Sequence, residues 1–97
     1  MVPFVQSYGN SEKQVVDPRR KVERVQTGVR IEKRVLKVLK AMAAEYEMGL
    51  GDLIEGIVLH SLEGRSPFGA ESKKLIASLR AAYDLDLTAA DSHKLVE

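Results

Sequence analysis

Between Glu23 and Ile31 apolar and polar positions alternate. Glu23, Val25, Thr27, Val29 and Ile31 fall on one side and Arg24, Gln26, Gly28 and Arg30 on the other. A period of two with one face apolar from Val25 onward predicts a half-buried strand. From Lys33 the period lengthens. Val35, Leu36, Leu39, Met42, Ala43 and Tyr46 form one helical stripe, and Lys33, Arg34, Lys37, Lys40, Ala41 and Ala44 lie mostly off it. This helix starts at Glu32 or Lys33 without a strong N-cap and ends in YEMGLGD, where Gly49 and Gly51 supply turn capacity. A second helix is expected over 52–62 on the stripe Leu50, Leu53, Ile54, Ile57, Val58 and Ser61, with Gly56 inside it favoured as a point of close helix approach. After the break EGRSPFG, with Ser66 and Pro67 read as cap and first helical residue, a third helix is expected over 71–83 on Leu75, Ile76, Leu79 and Ala82. Thr88 and Asp91 read as the cap of a last short helix, 89–95. Residues 1–20 have no period and hold two of the three prolines; they read as a mobile arm with a short extended piece at Val15–Val16 and a turn at Asp17-Pro18.

The lone strand is the informative element. Its backbone N–H and C=O groups need partners, and no second segment has a comparable alternation. A second copy of the same chain is the economical source of the missing edge.

Charge sharpens this. The whole chain of 97 residues is nearly neutral at +1, but residues 13–40 hold ten Lys or Arg against three acids, a net of +7, and residues 41–97 hold five against ten, a net of −5. A basic front half points to a polyanion, although two solvated faces of opposite sign give the same count. With no Cys there is no disulfide framework, thiolate metal site or cysteine nucleophile. His60 and His93 have no metal-ligand spacing around them, and Ser61 and Ser92 stand in no base-and-orienter arrangement, so neither a cofactor nor an enzyme is expected. No apolar run spans a bilayer and the first 20 residues lack a signal-peptide core, so a soluble cytoplasmic protein is expected.

The block VQTGVRIEKRVLKVLKAMAAEYEMGLGDLIEGIVLHSL resembles the ribbon-helix-helix DNA-binding family, of Arc and methionine repressor type. The resemblance implies a mainly α fold in which one strand per chain pairs in an intertwined dimer, here with a C-terminal helical extension. The paired ribbon would enter the major groove. Three segments follow: a basic arm over 1–22, the ribbon-helix-helix unit over 23–63 and the extension over 64–97. By position, the base-contacting residues would be Gln26, Gly28 and Arg30. Gln suits adenine and Arg guanine; Gly28, with no side chain, offers only a closer backbone approach. Phosphate contacts would come from Arg19, Arg20, Lys21, Arg24 and Lys33, with Gly51 and Asp52 at the start of the second helix. The dimer core would take Val25, Thr27, Val29, Ile31, Val35, Leu39, Met42, Leu53, Ile54, Ile57 and Val58.

Two classes of function stay open. One is a homodimeric transcriptional repressor or autoregulator bound to double-stranded DNA. The other is a protein-interaction module: an antitoxin-like chain whose residues 65–97 bind a partner protein, or a ribbon-helix-helix dimer without DNA. Packing of residues 65–97 onto the core is the plainer alternative to a partner there.

Overall fold

The computed structural model describes residues 19–97. They form three α-helices, α1 (Lys33–Glu45), α2 (Leu50–Leu62) and α3 (Ala70–Ala82), and a single 3-10 turn, Ala89–Asp91. The expected features at Val15–Val16 and Asp17-Pro18 lie outside the described residues.

The expected ribbon-helix-helix fold is corrected here: among the described residues there is no strand, and the chain is mainly helical with no sheet. A strand exists only as one side of a hydrogen-bonded ladder. The other periodic segments of this chain fold as helices, which satisfy their own backbones and offer no edge. Residues 20–31 therefore make no backbone hydrogen bond among the described residues and are exposed throughout. The alternation assigned faces to residues 23–31 of this leading segment, 19–31, but supplied no partner for them.

The helix ends have local causes. Glu32 is an effective N-cap, contrary to the expectation of a weak start: its Oε1 accepts from the Arg34 amide at 2.9 Å and the Val35 amide at 3.0 Å. All three helices close with the same pair of backbone bonds, in which two residues past the last turn donate back into it. In α1 these are Met48 to Ala43 and Glu47 to Ala44, in α2 Arg65 to His60 and Gly64 to Ser61, and in α3 Leu85 to Arg80 and Asp84 to Ala81. The left-handed residue is Glu47 (φ 54°), Gly64 (φ 74°) and Asp84 (φ 54°) respectively. Gly49 and Gly51 do not take this role: Gly49 is the N-cap of α2, and Gly51 lies inside that helix. Nor do Ser66 and Pro67 start α3, whose N-cap is Gly69; the Ser66 hydroxyl instead bonds locally to Phe68. Thr88 and Asp91 do make a capping box, but the helix it opens lasts only three residues, and His93 beyond it has a positive φ of 67°.

Helix α1 is central. It touches both α2 and α3, which do not pack on one another. Its residues Val38, Met42 and Ala43 are buried, with Leu53 from α2 and Leu85 from the loop after α3. Val35, Leu39, Tyr46, Ile57, Phe68, Ile76, Leu79 and Leu87 pack around them. Arg34 and Tyr46 join distant parts of the chain across this core. Arg34 Nη1 donates to the Asp84 carbonyl at 2.9 Å and to Asp86 Oδ1 at 3.0 Å, and the Tyr46 hydroxyl donates to Ser72 Oγ at 2.6 Å. Because α2 is covered on one side only, Val58, Leu59 and Leu62 are exposed. Gly56 admits no close neighbour: no heavy atom of another element lies within 4 Å of where its Cβ would stand.

Candidate nucleic-acid interface

The bases gather on the leading segment and the first two turns of α1. Arg19, Arg20, Lys21, Arg24 and Arg30 all lie in the exposed stretch 19–31. Lys33, Lys37 and Lys40 follow on α1 at spacings of four and three, hence on one face, and all three are exposed with no ion pair among the described residues. Sequence reasoning assigned Lys33 to phosphate but passed over Lys37 and Lys40; their spacing was the available signal.

Arg24, Arg30 and Arg34 differ from these lysines in being held. Arg24 makes a fork with Glu55 of α2, Nε to Oε2 and Nη2 to Oε1, both at 2.9 Å, with Asp52 Oδ1 at 3.9 Å from Nη2. The two-pronged geometry is the favourable one for guanidinium and carboxylate. The hydrogen bond from Arg24 holds the Glu55 carboxyl below the ordinary glutamate range, and Glu55 in turn raises the Arg24 guanidinium. Arg30 pairs with Glu97, and the two residues, with Ile31, Lys33, Leu95 and Val96, line an open groove. Arg34 is gripped by Glu32 and Asp86, the Glu32 hydrogen bond being the main cause of its raised pKa.

The remaining sequence-assigned positions divide. Gln26 and Gly28 are exposed on the leading segment between Arg24 and Arg30, and no atom lies within 4 Å of a Cβ built on Gly28. Gly51 and Asp52 sit in the first turn of α2 and not at the cap, with Asp52 3.9 Å from Arg24. Of the expected dimer-core residues, Met42 and Leu53 are buried within the chain, and Val35, Leu39, Ile54 and Ile57 are half-buried. Thr27 and Ile31 are exposed, and Val25 at 78 %, Val29 at 73 % and Val58 at 45 % remain open to solvent. Leu59 and Leu62, at 64 % and 77 %, are open as well and were missed because they fall off the stripe on which α2 was read.

Among the described residues no three His, Asp or Glu lie together as a metal site, and no helix is long and apolar enough to cross a membrane. No family model matches the chain, and neither a curated protein nor a solved structure does.

Proposed function

We propose that this chain is a homodimeric, sequence-specific DNA-binding protein of the cytoplasm, acting as a transcriptional repressor or autoregulator. One observation carries the reading: the bases are concentrated and presented together. Residues 19–40 hold nine Lys or Arg against two acids, and those of the leading segment are exposed. Lys33 lines one groove with Arg30, so the charge of α1 adjoins that of the leading segment there. Lys33, Lys37 and Lys40, with Arg19, Arg20 and Lys21, supply phosphate contacts and most of the affinity. Gln26 and Arg30 supply base contacts through the major-groove edge.

The second copy is argued from uncovered apolar side chains. Among the described residues five hydrophobic side chains are buried, whereas Val25, Val29, Val58, Leu59 and Leu62 lie open. Fully covering each is worth about 1.5–3 kcal/mol. Counted over two copies, ten such side chains give a gross gain of the order of the cost of association.

A protein-interaction role without DNA is favoured by the pairing of Arg24, Arg30 and Arg34 with acids of the same chain. The two readings part on salt. Titration with duplex DNA over a range of salt, alongside sedimentation at micromolar concentration, is expected to give a dimer whose log affinity falls linearly with log salt. A monomer without salt-dependent binding contradicts the proposal.

A further inference from the structure

We infer that Arg24 and Arg30 of the leading segment are masked by the chain's own carboxylates, so that DNA binds by exchanging Glu55 and Glu97 for phosphate or base. The inference rests on the DNA-binding reading and adds regulation to it.

The two acids come from distant elements. Glu55 lies 31 residues from Arg24, in the middle of α2, and Glu97 lies 67 residues from Arg30. Both pairs are solvent-exposed: side-chain exposures are 62 % and 46 % in the first and 85 % and 81 % in the second. Exposed pairs of this kind are weak and open readily, as a mask must. The fork on Arg24 uses the donor edge that a phosphate or guanine would take. Lys33, Lys37 and Lys40 carry no such cover among the described residues and stay available for a first, sequence-independent contact. A duplex held only by the lysines leaves the arginine–carboxylate pairs shut. One that fits Arg30 opens them. The acids thereby lower the affinity of any duplex that engages these arginines, by no more than the cost of opening the pairs, and leave contacts made by the lysines alone unaffected.

The ion count makes this measurable. When wild-type Arg24 moves from Glu55 to a phosphate, the phosphate releases a cation and Glu55 is left to recruit one. In E55Q nothing recruits it. The log–log salt slope of E55Q is therefore steeper, by up to about 0.9.

The experiment uses a pool of random-sequence duplex DNA and the full chain as wild type, E55Q, E97Q, E71Q, R24Q and E55Q/R24Q. Glu71 pairs with Lys74 on α3 and with neither of these arginines, and E71Q controls for the unit of charge that any such change adds. The expected result is that E55Q and E97Q each bind about 2–5-fold more tightly than wild type. E71Q should change less, and the E55Q gain should vanish in the R24Q background. Gains no larger than that of E71Q, or an E55Q gain that persists without Arg24, overturn the masking while leaving DNA binding intact. Absence of binding by every variant overturns the DNA reading and the masking with it.

Discussion

The Tyr46 hydroxyl donates to Ser72 Oγ at 2.6 Å and ties the C-cap of α1 to the first turn of α3. Both side chains are half-buried at the edge of the core, where an unmade hydrogen bond is not fully replaced by water. Tyr46→Phe is expected to lower stability by about 0.5–1.5 kcal/mol without altering the fold, read by urea unfolding. A midpoint equal to that of wild type contradicts a stabilising role for this bond.

The same junction decides what residues 65–97 are for. Phe68, Ile76, Leu79 and Leu87 pack on the core, and Leu85 is buried in it. A chain ending at Gly64 is therefore expected to lose cooperative unfolding and near-native helix content by circular dichroism. Within the full chain, Leu85→Ala is expected to cost about 2–5 kcal/mol. A folded remnant ending at Gly64 would show that the segment is dispensable and free to serve a partner.

Glu47 closes α1 in a left-handed conformation (φ 54°) that disfavours side chains with a Cβ. Glu47→Gly is expected to raise stability by about 1 kcal/mol. Asp84→Gly, at the matching position after α3, is expected to gain less, since aspartate tolerates this region better. Paired denaturant midpoints test the order; a loss of stability in Glu47→Gly contradicts it.

Acid should loosen the chain at two known places. The Glu32 carboxyl is held below the ordinary range chiefly by the Val35 amide, with help from Arg34, and Glu55 chiefly by the hydrogen bond from Arg24. A folded value below the unfolded one means stability that is present above the unfolded value, about 4.3 for glutamate, and is lost as pH falls through the lowered folded values. Glu32→Gln is expected to flatten the acid limb of the stability profile, and Glu55→Gln to free the Arg24 Nε–H to exchange, followed by NMR. Acid limbs superimposable on that of wild type contradict the assignment.

The helices were legible because their period is local. The stripe from Val35 to Tyr46 located α1, and the expected 52–62 and 71–83 lie within one or two residues of α2 and α3. The starts and stops were less so. The Glu32 cap and the left-handed Glu47 and Asp84 use residue types that are not the strongest signals for those roles. Leu85 lay in DLDL, which reads as an interruption, yet as the third residue past α3 it folds back onto the core. The strand failed for a different reason. Alternation describes which way side chains face, whereas a strand depends on a partner edge that no periodicity within this chain supplies. The masking of Arg24 and Arg30 was equally invisible, since it joins residues 31 and 67 positions apart.

Exposed Leu59 and Leu62 give the dimer a test of its own. Replacing both by Glu is expected to leave the thermal transition of the monomer within about 0.5 kcal/mol, as for surface positions generally, while shifting sedimentation at micromolar concentration from dimer to monomer. An unchanged dimer moves the interface elsewhere.

The most direct test of DNA recognition is selection from random-sequence duplexes by wild type and Arg30→Ala. A short palindromic motif is expected for wild type, with Arg30→Ala binding it about 1–3 kcal/mol more weakly and relaxed at one base in each half. No enrichment by wild type, or a motif bound equally well and selectively by Arg30→Ala, would contradict the account.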